Sequence, residues 1–170
     1  MITCIQEVAK AWDSIGWIVE CRIVGIPVGI GEPVFGKLKA RLASSMLSIG
    51  WVLWFEYGKG FEACSMKGSQ YNDPFIYENN RIHPKNNYCW GVLGGISTGD
   101  DVIFRVALKP TSSIYQQQTS VDMWGNVVEF MIGGRHDPCI VPRAVPIIEA
   151  MAAIDCLDLY MIHRAKTFNY

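Results

Sequence analysis

The stretch Gly133-Gly134-Arg135-His136-Asp137-Pro138-Cys139, running into Ile140-Val141-Pro142-Arg143-Ala144-Val145-Pro146, constrains the fold more than any other. Its glycines free the backbone on one side, while Pro138, Pro142 and Pro146 stiffen it on the other. It gathers ionisable side chains and a thiol into a short turn. It then launches the clearest helical pattern of the chain, predicted from Pro142 or Ala144 to about His163, with Val145, Ile148, Met151, Ala152 and Leu159 as apolar positions. A rigid polar loop at a helix N-terminus suits an anion or a cofactor edge.

Upstream, helical and strand patterns interleave. Residues 2–12 have helical spacing through Ile5, Val8 and Trp12, with Gly16 as a stop. Trp17–Ile26 reads as a strand, and Pro33 opens a predicted helix over about Val34–Leu47 with Phe35, Leu38, Leu42 and Met46 as its apolar stripe. Strands are predicted at Trp51–Tyr57, Phe61–Met66 and Asp100–Leu108. Two more, at Thr119–Asp122 and Val127–Ile132, flank a hairpin turn at Met123-Trp124-Gly125-Asn126. Lys67–Tyr88 reads as a long polar loop and Gly91–Gly99 as a glycine-rich turn. The predicted class is α+β, in one domain over residues 1–170.

A net charge of -1 with no lysine/arginine run argues against a nucleic-acid groove or an anionic membrane surface. No apolar run is long enough to span a bilayer. The six cysteines are scattered, without a C-x-x-C, as expected for reduced thiols of a cytoplasmic protein and not for a disulfide framework or zinc site. His136, Asp137 and Cys139 lack the spacing of a metal centre, so no metal site is expected. Gly31-Glu32-Pro33-Val34-Phe35-Gly36-Lys37-Leu38 nearly spells a phosphate loop, but Leu38 stands where a hydroxyl must bind magnesium and Pro33 has no amide to donate. Lys109-Pro110-Thr111-Ser112-Ser113 follows a strand; its ammonium, hydroxyls and amides suit a phosphate or a flavin edge, and equally make an ordinary capped turn. Gly94-Gly95 permits close approach to a flat ligand, or simply turns the chain.

Taken together, these blocks resemble the C-terminal half of chorismate synthase in order and spacing. They are Asp13-Ser14-Ile15-Gly16, Gly25–Phe35, Gly60-Phe61-Glu62-Ala63, Met66–Gln70, Leu93–Ser97, Ala107–Ile114, Gly134–Cys139, Arg143–Pro146 and Glu149-Ala150-Met151. The resemblance implies a β-α-β sandwich, of which this chain carries the C-terminal half, in a tetrameric enzyme of the shikimate pathway. That family converts 5-enolpyruvylshikimate 3-phosphate to chorismate and phosphate by a 1,4-anti elimination. It requires reduced FMN, with NADPH as a possible source of the reduction. Carried over by position, cofactor contacts fall on Gly50, Trp51, Gly94, Lys109, Pro110, Thr111, Ser112, Ser113 and Arg135. Arg135 also faces the substrate, and Asp137 is the catalytic residue that helps to move a proton.

Two departures from the family pattern follow. Its N-terminal half, with the acid/base histidines and most substrate arginines, has no counterpart here, and none of His83, His136 and His163 sits in a matching context. Met1 therefore reads as an internal start or a fragment boundary. In addition, Trp12, Trp17, Trp54 and Trp90 stand where the family has glycine, and Trp51 where it has a small residue. Forcing an indole into a packed glycine site costs ~1–3 kcal/mol, and more where φ is positive. These tryptophans are either genuine substitutions, with Trp51 and Trp90 filling flavin space in a non-catalytic remnant, or glycines misread from a recoded codon.

Overall fold

The structure, a computed structural model, describes residues 1–78 and 80–167. In chain order the elements are α1 (Ile2–Lys10), β1 (Trp17–Ile23), α2 (Leu38–Leu47), β2 (Val52–Tyr57), a 3-10 turn (Gly60–Ser65), α3 (Gly68–Tyr71), β3 (Phe75–Glu78) and β4 (Arg81–Pro84). They continue with β5 (Val92–Leu93), β6 (Ile96–Ser97), β7 (Val102–Leu108), β8 (Gln118–Val121), β9 (Val127–Phe130) and α4 (Val141–Thr167). The mixture of helices and small sheets is α+β, as expected.

The main sheet has the order β1-β7-β2, with β7 antiparallel to both neighbours. Strict alternation in β7 sends Val102, Phe104, Val106 and Leu108 to one buried face. That face packs on α2 through Leu38, Leu42 and Met46, and on α4 through Val141, Ala144, Ile148, Ala152 and Leu159. The result is one sheet layer against one helix layer. The other side of α4 exposes Ile147, Ile154, Leu157 and Met161, an apolar stripe at helical spacing that these two layers do not cover.

Several predicted elements change. The helix expected from Val34 starts at Leu38, because Val34 adopts φ 57° and the chain makes a turn closed by Gly36 N–H to Pro33 C=O (3.3 Å). Phe35 is consequently exposed and contributes nothing to the stripe. The Leu38 N–H donates to Gly95 C=O (2.8 Å), so this helix start is occupied by backbone and is no phosphate loop. The predicted strand at Phe61–Met66 is instead the 3-10 turn, closed by Glu62 N–H to Lys59 C=O and Met66 N–H to Ala63 C=O. The predicted loop Lys67–Tyr88 contains α3 and the β3–β4 hairpin. Tertiary anchors explain why: the Asp73 carboxylate accepts the N–H groups of Asn86 and Tyr88 (both 2.7 Å), and Arg81 is held by Asp100 and the Gly99 carbonyl.

All six cysteines are free, and among the described residues no group of three or more His, Cys, Asp or Glu could hold a metal. Burial first, then the negative charge of Asp155, pushes the Cys156 thiol up to about 11, so this thiol is inert packing. No described helix is long and apolar enough to cross a membrane.

Of the five tryptophans at family glycine or small-residue positions, two hold backbones that favour glycine. Trp12 (φ 57°) closes α1 in a Schellman arrangement: Trp12 N–H donates to Ala9 C=O and Asp13 N–H to Val8 C=O, both at 3.1 Å. Glycine is the usual residue at that left-handed position, which costs other residues roughly 1–2 kcal/mol. The Trp12 indole recovers part of this in an edge contact with Tyr115 at 5.3 Å, of the kind worth about 0.5–1.5 kcal/mol. Trp12→Gly is therefore expected to raise stability slightly, by about 0.5–1 kcal/mol, read as a higher urea midpoint at unchanged slope. A lower midpoint would show that the ring contact outweighs the strain. Trp90 (φ 47°) has a stronger compensation, since the Arg105 guanidinium lies 4.8 Å over its ring.

Candidate functional site

Four chain segments are stitched together at the end of β7. Ser14 Oγ donates to Thr111 C=O (2.5 Å), Ile15 N–H to Pro138 C=O (2.8 Å), Lys109 N–H to Trp51 C=O (3.0 Å) and Thr111 Oγ to Asp137 C=O (3.0 Å). Gly16 makes the approach possible: a Cβ there would lie 2.2 Å from the Leu108 carbonyl oxygen and 3.0 Å from Pro110 N. The turn predicted to organise the chain thus meets the Lys109–Ser113 segment where β7 ends and α4 begins.

These segments enclose a cavity of about 340 Å³ lined by Trp51, Thr111, Ser113, Arg135, His136, Asp137, Ile140, Arg143 and Ile147. A second cavity of about 190 Å³ shares Ser113, His136 and Asp137 and adds Trp12, Asp13 and Tyr115. Two other hollows are as large, about 360 Å³ around Trp54, Tyr57, Phe61 and Tyr71, and about 370 Å³ around Ile23, Val24, Leu157 and Tyr160. Their walls are mostly aromatic or aliphatic. Convergence of cations, hydroxyls and a carboxylate, and not size, singles out the cavity at the Arg135–Asp137 turn.

Asp137 is half-buried and forms an ion pair with Arg143 (Oδ2 to Nη1, 3.2 Å). Arg143 occupies the first turn of α4, where the helix dipole disfavours a cation, and the Asp137 carboxylate offsets this. So solvated a pair contributes only ~0–1 kcal/mol to stability, and its main effect is to fix the carboxylate. Arg135, by contrast, is exposed and has no hydrogen bond or ion pair among the described residues. Its guanidinium is available to an anion. Gly134 (φ 142°) has its N–H 3.2 Å from the Tyr115 hydroxyl, and its open side faces the His136 ring. His136 Nε2 is shielded from solvent and has no hydrogen-bond partner among the described residues.

Of the residues proposed from sequence, Trp51, Thr111, Ser113, Arg135 and Asp137 line one cavity. Gly50, Lys109, Pro110 and Ser112 adjoin these in the chain, with Lys109 and Pro110 exposed. Gly94 does not line it; its β5–β6 hairpin packs instead against the start of α2, where Gly95 meets Lys37 and Leu38. Sequence reasoning missed Arg143 and Tyr115 as members of the site. Arg143 carried a usable signal, a cation in the first turn of a helix six positions after the candidate aspartate. Tyr115 carried none, because only the tertiary return of the Gly134 turn reaches it.

The family model for chorismate synthase matches residues 1–161. The chain is 46% identical over 172 residues to a chorismate synthase of Opitutus terrae, covering 100% of this chain and 47% of that protein. It is 51% identical to one of Cytophaga hutchinsonii, covering 97% and 46%. A crystal structure of chorismate synthase superposes with a TM-score of 0.71 at 28% identity, over 93% of this chain and 40% of that one. The chain spans about half the length of the curated relatives it matches. By its family match and its identity to these relatives, the chain belongs to the chorismate synthase family.

Proposed function

We propose that these residues form the C-terminal part of a chorismate synthase centre, which converts 5-enolpyruvylshikimate 3-phosphate to chorismate and phosphate with the help of reduced FMN. The observation that carries this reading is the single cavity joining Trp51, Thr111, Ser113, Arg135 and Asp137. The donor set suits FMN: an unpaired guanidinium for anionic oxygens, the Ser113 hydroxyl, a flat indole wall and an orphaned imidazole nitrogen. The volume lies at the small end of the usual ligand-site range of roughly 300–1,000 Å³, in keeping with a site completed by other residues. When bound, reduced flavin supplies electron density to the elimination. Arg135 binds and orients an anionic group of cofactor or substrate, Ser113 offers a hydroxyl, and Thr111 ties the Asp137 backbone in place. Asp137, held by Arg143, accepts or returns a proton at its free carboxylate oxygen.

The rest of the family's length is proposed as the partner that supplies the remaining acid/base groups and covers the apolar stripe of α4, completing a β-α-β sandwich. A single-domain organisation of residues 1–170, a homotetramer, a cytoplasmic location and NADPH as reductant belong to the same proposal. Trp51 supports a second reading, because its indole lies in the wall of the same cavity: a non-catalytic remnant with a narrowed pocket. Assay of chorismate formation under reducing conditions separates the possibilities. The chain alone is expected to bind FMN at micromolar concentration without turnover. Turnover by the chain alone would contradict the half-site reading, and absence of flavin binding would favour the remnant.

A further inference from the structure

The wall of the smaller of the two adjoining cavities contains a group that the proposed chemistry leaves unused. Tyr115 packs edge-on against Trp12 and tilts over His136, with ring centroids 5.6 Å apart in the latter pair. Its hydroxyl accepts the Gly134 N–H at 3.2 Å. A phenol also carries one donor proton, and among the described residues Tyr115 donates it to nothing. Ser113 and the unpartnered His136 Nε2 stand in the same wall.

The charges nearby restrict what Tyr115 can face. Asp13 lines only the smaller cavity and Arg135 and Arg143 only the larger one, while Asp137, paired with Arg143, lines both. An anionic group is therefore favoured on the arginine side and disfavoured on the Tyr115 side. We infer that Tyr115 is a further ligand-binding residue of this site, donating its hydroxyl proton to a neutral oxygen of the ligand, a carbonyl or hydroxyl, while its acceptor side holds the Gly134 turn. The inference rests on the flavin reading above, and it assigns the uncharged part of the flavin to the smaller cavity.

Riboflavin, which lacks the phosphate of FMN, makes the assignment testable on the full chain. Tyr115→Phe keeps the ring contacts but loses both the hydrogen bond to the ligand and the one accepted from Gly134 N–H, so both FMN and riboflavin should bind about 3- to 10-fold more weakly, with only a small fall in the thermal midpoint. Incorporating 3-fluorotyrosine at position 115 makes the hydroxyl a stronger donor and a weaker acceptor. It should tighten binding of both flavins, whereas a purely structural role through Gly134 predicts unchanged or weaker binding. Equal affinities for Tyr115→Phe and the unsubstituted chain would overturn the inference, as would a loss confined to FMN, which would place Tyr115 on the phosphate. If the unsubstituted chain binds FMN and only this residue proves silent, the flavin reading survives. If it binds neither flavin, both fall together.

Discussion

Arg135→Ala is expected to weaken FMN binding by about 10- to 100-fold, the range for losing a hydrogen bond to a charged group of ~1.5–3 kcal/mol. Arg135 lines the cavity with no intramolecular partner among the described residues, so its removal costs the fold almost nothing. Unfolding stability should stay within the small range of exposed substitutions, about ±0.5 kcal/mol. Arg143 compensates only in part, because one edge of its guanidinium is engaged by Asp137. Riboflavin should lose far less affinity than FMN, and the FMN effect should shrink as salt rises, since an exposed guanidinium is screened. Arg135→Lys should recover only part of the loss, because an ammonium cannot reproduce a forked contact to phosphate or carboxylate.

The second large effect concerns stability. Asp155 lies on the buried side of α4 at 4% exposure, in line with Ala152 and Leu159. Its Oδ2 has no partner, and Oδ1 is 4.0 Å from Arg41 Nε, too long for a hydrogen bond. A buried acceptor left unsatisfied costs ~1–3 kcal/mol, and replacing such a group by an apolar one of similar volume is often stabilising. Arg41 would not be stranded, because it also pairs with Asp158 at 2.5 Å and is partly exposed. Asp155→Val is accordingly expected to stabilise the chain by about 1–3 kcal/mol, read from denaturant unfolding at unchanged slope. The Cys156 thiol should become easier to ionise, although burial, the larger cause of its shift, would remain. A drop in stability would show instead that the pairing with Arg41 outweighs the cost of burying the carboxylate.

Where local pattern and tertiary packing agree, the sequence was readable. The alternation of Val102–Leu108 declares a strand buried on one face, and β7 is the sheet's centre. The turn before α4 is legible too, because glycine, proline and charge at fixed offsets leave few other conformations. What failed depended on distant contacts. Nothing local says that Val34 will adopt a left-handed backbone, or that Asp73 and Arg81 will pin a hairpin inside a polar stretch. The packing of the Gly94-Gly95 hairpin on the start of α2 is likewise set by tertiary contact and not by the glycine pair itself. The tryptophans divide along the same line. Trp12 and Trp90 occupy left-handed positions where glycine is physically preferred, which favours the recoded-glycine reading there. Trp17 and Trp54 lie in β1 and β2, which accept an indole. UGG codons at positions 12 and 90 would establish both as genuine substitutions.

In the proposed function, Trp51, Thr111, Ser113, Arg135 and Asp137 form a single flavin-facing surface. Amide chemical-shift mapping of the unsubstituted chain during FMN titration tests it directly. Shifts should saturate together at Trp51, Thr111–Tyr115 and Gly134–Asp137, and leave the Trp54–Phe61 hollow unmoved. Saturable shifts at that aromatic hollow with none at the Arg135–Asp137 turn, or no saturable shifts at all, would contradict it.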